Sequence, residues 1–573
     1  MSGDANTRTP WHRSTFVVAL AGNLLLWAAL PPLGLSWLGW IAPVPWLLLV
    51  RVERLPGRRP YAAVWLAAFV FWLLAIHWIR LPHPALHIGW LALSAYLALF
   101  LPAFVGLSRV GLHRVGLPLW ITAPVVFTGL ELARAHLLTG FLMGSLAHSQ
   151  VHWTTLIQIG DIAGEYGVDY VMILVAACIA SAVPIPSANP QSAIHNQQSA
   201  GSQSRWRLLA LLPAAIVLAA SLAYGNWRLE SAKPIAEATS PKGDFFRIAL
   251  IQGNSPADWK GDMERQREIM DEYIRLSELA IAKAKERGDG HGVDLVVWPE
   301  TMFRSGLISF DPDYQMPEEA GMTAEERAAI GPHDLAALVA RLSTPVLVGI
   351  DRVHILADPA ADKNSPRYLG YNSSALVDRD GKIVDTYDKV HLVVFGEYMP
   401  FARWFPILYR ITVLTGGVES GAGPVGMHVE DKFCISPSIC YETAVPHVMR
   451  RQLTTLNGRS ETPDVLVNMT NDAWYWGSSE LDLHLACGIF RAVETRTPLV
   501  VAANGGISAW VDRYGRILAQ SPRLQSDVLL ADIEDGSMRS WYVDFGDWFA
   551  GVCLTCCVLL AIIGFRYWFQ TKA

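Results

Sequence analysis

Charge is scarce in this chain. Only 17% of its 573 residues are Asp, Glu, Lys or Arg, against 52% hydrophobic, too apolar for a water-soluble fold and long enough for two units. The charge sums to −6 with no basic excess, so the electrostatic footprint of a nucleic-acid binder is missing. Cysteine is sparse as well. Cys178, Cys434, Cys440, Cys487, Cys553, Cys556 and Cys557 have the spacing of neither a zinc site nor a disulfide framework, so no metal is expected. Six of them sit in apolar surroundings and read as small buried hydrophobes. What the chain has in plenty is Trp, 22 residues, which favours the membrane interface, where the ring buries while its N–H stays wet.

Long apolar runs are also plentiful. About seven, each near the ~20 residues needed to cross a hydrocarbon core, precede the polar part of the chain. They lie near residues 15–30, 35–50, 61–79, 88–107, 119–138, 168–183 and 208–224, and another follows at 548–568. The expected organisation is a membrane domain over 1–230 and a C-terminal transmembrane helix over 546–570. The first run is not read as a cleaved signal peptide, because a second follows after Pro31-Pro32-Leu33-Gly34 with no small-residue cleavage site. Arg8 and Arg13 precede the first run, and Arg51, Arg54, Arg58, Arg59, Arg109, Arg114, Arg205 and Arg207 fall in alternate short loops, with Arg80 and Arg134 the main exceptions in the others. Those ends are expected in the cytoplasm, which puts the long segment after Tyr224 outside, in the periplasm of a bacterium. Glu131 and Arg134 share a helical face in an apolar segment. Either they neutralise each other, or they meet a lipid headgroup or substrate at the outer rim. Residues 187–204, rich in Ser, Gln, Asn and Ala, read as a disordered linker.

From 245 to 536 the pattern changes to short apolar strands alternating with helices. Strands are expected near 246–252, 293–298, 345–350, 373–377, 382–387, 433–439, 465–469, 499–503, 508–512, 515–518 and 528–533. Helices are expected near 263–287 and 481–496. Two mixed sheets between helices accommodate that order. Three strand ends carry reactive groups: Glu300 in Val296-Val297-Trp298-Pro299-Glu300, Lys389 in Thr386-Tyr387-Asp388-Lys389, and Cys440 in Ser438-Ile439-Cys440-Tyr441-Glu442. A free thiol of pKa ~8.5 is mostly protonated at neutral pH and needs a base or a nearby cation to become a nucleophile. Glu300 can serve as the base and Lys389 as the cation. Lys389 and the backbone N–H after Cys440 can hold an oxyanion.

These segments resemble the nitrilase, or carbon-nitrogen hydrolase, superfamily, whose Glu, Lys and Cys occur in this order. With the flanking apolar runs, nearly the whole chain resembles the bacterial apolipoprotein N-acyltransferase family. The likeness rests on Gln252-Gly253-Asn254, Trp298-Pro299-Glu300-Thr301, the run from Tyr387 to Pro400, Cys440-Tyr441-Glu442, Asn471-Asp472-Ala473-Trp474 and Asn504-Gly505-Gly506. It implies a multi-span α-helical membrane bundle plus an α/β nitrilase-like α-β-β-α sandwich on the periplasmic side of the bacterial inner membrane. It also implies an acyltransferase that needs no cofactor. The acyl donor would be a phospholipid of the bilayer and the acceptor the diacylglyceryl-cysteine of an apolipoprotein. Glu300, Lys389 and Cys440 are then the catalytic residues. Four more are implied at the substrate site: Trp259 at the mouth, Glu397 as the second glutamate supporting the lysine or the amine, and Tyr441 and Glu442 shaping the acyl or amine site. The apolar segment 401–411 reads as a lid that dips into the outer leaflet. A membrane-tethered amidase hydrolysing a small amide is the alternative, since the same three residues serve both reactions.

Overall fold

The computed structural model describes residues 14–184, 209–239, 244–257, 262–317, 320–357, 368–394, 396–398, 417–430, 432–534 and 538–570. Trp259, the linker 187–204 and the segment 401–411 lie outside the described residues. The described residues within Met1–His77, Ile88–Glu230 and Phe545–Ala573 form one compact unit, and those within Trp78–His87 and Ser231–Asp544 a second.

The first unit is helical. Leu86–Val115, Glu165–Ala182 and Trp548–Gln570 are long and apolar enough to cross a membrane, and Thr15–Ala29 and Pro60–Ala75 are apolar but shorter. The run at 35–50, expected as one span, is instead a 3₁₀ helix, Ser36–Trp40, followed by a short α-helix, Val44–Arg51. The reason lies in Ala42-Pro43-Val44-Pro45. A proline lacks the N–H that continues a helix and is tolerated only in its first turn. Glu131 and Arg134 form an ion pair, both buried, and Arg134 also donates to the Phe141 carbonyl at 3.1 Å. At another place in the unit, Arg109 donates to the carbonyls of Leu49, Val50 and Val52, and Arg51 to those of Ala180 and Val183. These arginines neutralise the negative carbonyl ends of the helices Val44–Arg51 and Glu165–Ala182.

The second unit contains thirteen strands among the described residues: β1 (Phe246–Gln252), β2 (Leu295–Val297), β3 (Phe303–Phe310), β4 (Val346–Ile355), β5 (Tyr368–Val377), β6 (Ile383–Asp388), β7 (Met427–Val429), β8 (Phe433–Ile439), β9 (Val465–Asn471), β10 (Leu499–Asn504), β11 (Ala509–Val511), β12 (Ile517–Gln520) and β13 (Asp527–Ile533). They form two sheets, one in the order β13-β1-β2-β4-β5-β6 with β3 beside β4, the other in the order β12-β11-β10-β9-β8-β7. β1, β2 and β4 run parallel, as do β8, β9 and β10. Strands buried on both faces read as continuous apolar runs. In β1, Ala249 and Ile251 face the helices Met263–Glu286 and Ala324–Leu342, while Ile248 and Leu250 meet Ile435, Val467 and Val500 of the other sheet. Helices Pro446–Gly458 and Glu480–Thr495 belong to the second sheet's side. The result is the expected four-layer α-β-β-α order.

Local sequence places the helices. Ile269, Tyr273, Leu276, Ala280 and Ala284 recur at helical spacing along one buried face. Asp262 caps the start of that helix by accepting from the Glu264 N–H at 3.0 Å. Thr323 and Glu326 make a reciprocal capping box for Ala324–Leu342, with bonds of 3.1 and 2.8 Å. β3 and β7 are not among the expected strands. β3 carries Ser305, Gly306 and Ser309 and is only half-buried, so its sequence lacks the apolar run that marks its neighbours.

Candidate active site

In a parallel sheet, loops gather at the carboxyl ends of the strands, and side chains from separate strands converge there. Glu300 follows β2, Lys389 follows β6 and Cys440 follows β8. Glu300 is held by two hydrogen bonds: Asn372 Nδ2 donates to Oε1 at 2.7 Å and the Asn471 N–H to Oε2 at 2.9 Å. Lys389 Nζ lies 3.7 Å from Glu300 Oε1 and 2.8 Å from Glu397 Oε1. Asn372 also donates to Glu397 at 3.0 Å, so one amide ties the two carboxylates together. Gly349 on β4 lets the Glu300 turn pass close by, since a Cβ there would meet the Pro299 oxygen at 2.3 Å and Glu300 Cα at 2.6 Å.

Electrostatics assigns a resting protonation state to each group. Burial pushes the Cys440 thiol well above its ordinary pKa, and the charge of Glu300 pushes it further, against the opposing charge of Lys389. The thiol therefore rests protonated and must pass its proton on as it attacks. The Lys389 charge acts in the expected direction, favouring the thiolate, but desolvation and Glu300 outweigh it at rest. Burial also raises Glu300, with the Lys389 charge opposing and the Glu397 charge adding to it. A carboxylate of raised pKa is a stronger base for that proton. Burial alone would favour a neutral Lys389 amine, but the carboxylates of Glu397 and Glu300 outweigh it and hold the ammonium. A protonated thiol, a basic carboxylate and a fixed cation can together form and break an acyl-sulfur bond.

Cys440 has a left-handed backbone, φ +50°, at the start of the 3₁₀ helix Cys440–Ala444. Residues other than glycine rarely adopt this conformation, and it recurs where a fold imposes a functional geometry. Its carbonyl accepts from Asn468 Nδ2 at 3.2 Å and Thr443 Oγ1 at 3.2 Å.

The four residues expected at the substrate site fare differently. Glu397 supports Lys389 directly and is itself fixed by the Val393 N–H at 2.8 Å. Tyr441 is half-buried and stacks on His391, with ring centroids 6.1 Å apart. Glu442 does not face a substrate. It is fully buried, and its carboxylate accepts from Tyr387 OH at 2.8 and 2.9 Å and from the N–H groups of Val390, His391 and Ile439 at 2.9, 3.0 and 2.7 Å. Glu442 joins the Lys389 loop to the Cys440 turn from behind, so any shaping of the site by it runs through those two segments. Trp259 lies outside the described residues.

The sequence reading missed Asn372, which lies within β5 in the polar stretch Asn372-Ser373-Ser374 and carries no motif. It also missed Tyr475. That hydroxyl is raised well above its ordinary range by burial first and then by the charges of Cys440 and Glu480. The Tyr475 ring meets Trp78 edge-on at 5.1 Å.

Comparison with known proteins covers both units. Residues 22–178 match the family described as "Apolipoprotein N-acyltransferase N-terminal domain", and residues 247–543 match that described as "Carbon-nitrogen hydrolase". The chain is 30% identical over 560 residues to the apolipoprotein N-acyltransferase of Rhodopirellula baltica, covering 92% of this chain and 93% of that one. It is 30% identical over 566 residues to that of Geobacter metallireducens, covering 97% and 96%. With that of Rhodopseudomonas palustris the identity is 27% over 568 residues, covering 96% and 95%.

Proposed function

Because the chain belongs to the apolipoprotein N-acyltransferase family, we propose that it moves a fatty acyl chain from a membrane phospholipid to the α-amino group of the N-terminal diacylglyceryl-cysteine of apolipoproteins. The chain travels as a thioester on Cys440. In the first half-reaction Glu300 takes the Cys440 S–H proton as sulfur attacks the ester carbonyl. Lys389 and the Tyr441 N–H hold the oxyanion. The carbon–oxygen bond then breaks, the Glu300 proton goes to the departing alcohol oxygen, and the acyl chain stays on sulfur. In the second half-reaction the lipoprotein amine attacks the thioester. A carbon–nitrogen bond forms, the carbon–sulfur bond breaks, and Glu300 carries the amine proton back to sulfur. Asn372 and Glu397 keep Glu300 and Lys389 in register throughout.

The observation that carries this reading is that one chain joins the thiol site to helices long and apolar enough to cross a membrane. Both substrates are lipid-anchored, so a catalyst held at the membrane searches in two dimensions and meets the ester already oriented. The arginine-rich loops read as cytoplasmic ends of a multi-span bundle, with the thiol site on the periplasmic side of the inner membrane.

The test uses the full chain in micelles with phospholipid bearing deuterated acyl chains and a synthetic diacylglyceryl-cysteine peptide. The peptide is expected to gain one deuterated acyl group as an amide, with little free fatty acid. Free fatty acid released at the same rate with or without peptide would mean that water resolves the thioester, and the proposal would give way to the hydrolase reading.

A further inference from the structure

Behind the thiol lies a buried polar chain that the reaction steps above leave unused. His484, on the helix Glu480–Thr495, is 5% exposed. Its Nε2 lies 3.0 Å from the Cys440 carbonyl oxygen and 3.0 Å from Thr443 Oγ1, and its Nδ1 lies 3.3 Å from Asp472 Oδ1. Asp472 Oδ1 also accepts from Thr470 Oγ1 at 2.6 Å, and the Thr470 hydroxyl hydrogen-bonds the Cys440 side chain. The loop therefore closes: from the Cys440 carbonyl through His484, Asp472 and Thr470 back to the Cys440 sulfur.

The Cys440 carbonyl and the Asp472 carboxylate can only accept, so a ring that donates to both carries a hydrogen on each nitrogen, as an imidazolium does. Thr443 Oγ1, the other neighbour of Nε2, then accepts from the ring and donates to the Cys440 carbonyl. The surrounding groups are Asp472, Glu480 at 3.8 Å, Cys487 and Cys440. Burial opposes the charge, but the Asp472 hydrogen bond, its charge and that of Glu480 outweigh it and raise the ring to about 10. The ligand-type atoms of Asp472, Glu480 and His484 also lie within 4.8 Å of one another, the arrangement a divalent cation would use if it replaced the ring hydrogen.

We propose that His484 is a positioning residue for the acyl transfer: by donating to the Cys440 carbonyl while anchored on Asp472, it clamps the left-handed Cys440 backbone that aims the sulfur at Glu300. This rests on the reading of Cys440 as the acyl carrier. The carbonyl is the lever that fixes the Cys440 peptide plane, and a residue held in this rarely populated conformation returns to an ordinary one when its restraints go. A misplacement of about 1 Å at a reacting atom costs about 100-fold in rate.

The experiment follows formation of the Cys440 acyl adduct by intact mass in single-turnover mixtures of full-length protein and phospholipid, with dependence on donor concentration. His484→Ala is expected to lower the saturating acylation rate about 100-fold with the half-saturating donor concentration unchanged within about twofold. His484→Gln keeps a donor for the carbonyl and should recover at least tenfold of that loss. If His484→Ala does not fold, Asp472→Asn is read instead, with the same slowing at unchanged donor dependence. Acylation at the wild-type rate in the variants would overturn the proposal. So would a loss confined to donor binding, a glutamine variant as slow as the alanine one, or a stoichiometric transition metal that departs with His484→Ala. No adduct on the wild-type protein would refute the thioester reading instead, a separate result.

Discussion

Replacing Glu442 by Gln should weaken the fold more than the chemistry. The carboxylate of Glu442 accepts from four groups, Tyr387 OH and the N–H groups of Val390, His391 and Ile439, and the residue is fully buried. In the glutamine variant the amide oxygen can keep Val390, His391 and the Tyr387 hydroxyl. The amide nitrogen then faces the Ile439 N–H, and with one amide hydrogen turned to the Tyr387 oxygen, the Ile439 N–H and the other amide hydrogen are left without an acceptor. Such a group costs about 1–3 kcal/mol, a sizeable share of the 5–15 kcal/mol that typically holds a domain together. Alanine removes the acceptor for all four donors, and at about 1–3 kcal/mol each the loss reaches the whole of that stability. Thermal unfolding in micelles, read beside Cys440 acylation, tests this. Glu442→Gln should melt roughly 5 °C lower and still acylate within about tenfold of wild type, because the residue reaches the site only through the two loops it joins. An unchanged melting point with acylation abolished would mean that Glu442 touches substrate, and the buried-tie argument would be refuted.

Gly349→Ala should displace the Glu300 turn, because its Cβ would collide with Pro299 and Glu300 main-chain atoms. Overpacking of about 1–3 kcal/mol and an acylation loss of about 100-fold are expected, while Gly292→Ala, with open space around it, should be silent. Wild-type acylation in Gly349→Ala would contradict the close packing. The acid limb of the acylation rate should lie above the ordinary glutamate range. The active form is the Glu300 carboxylate, and burial raises the pH at which it protonates, with Lys389 only partly offsetting this. Asn372→Ala removes a hydrogen bond that favours the charged form, so the limb should move further up. A limb that moves down in a pH–rate series would show that Glu300 is not the titrating base.

The chemistry-bearing part of the site was legible because Glu300, Lys389 and Cys440 each follow a strand, Glu300 and Cys440 at the carboxyl ends of apolar parallel strands, where such a sheet collects its side chains, and Lys389 after the antiparallel edge strand β6. Their environment was not. Asn372 and His484 reach the site through packing of elements distant in sequence, and nothing local marks a polar side chain as inward-facing. The side that Glu442 faces was hidden for the same reason. Next to a nucleophile, a carboxylate can face the substrate or the wall behind it, and only the positions of Tyr387 and the Val390 and His391 N–H groups decide. The Lys389 charge favours the thiolate as read, but the burial that outweighs it at Cys440 is set by packing and not by the local sequence. In the helical unit, hydropathy marked the run at 35–50 as a span, but the two prolines at 43 and 45 divide it.

The central claim is that Cys440 carries the acyl chain. Intact-mass analysis of the purified full-length protein after incubation with phospholipid, wild type beside Cys440→Ala, tests it most directly. The account predicts one fatty-acyl adduct on the wild-type protein that hydroxylamine removes, none on the variant, and discharge of the adduct when a diacylglyceryl-cysteine peptide is added. A lipoprotein peptide that is acylated while no adduct ever forms, or an adduct that persists in Cys440→Ala, would contradict it.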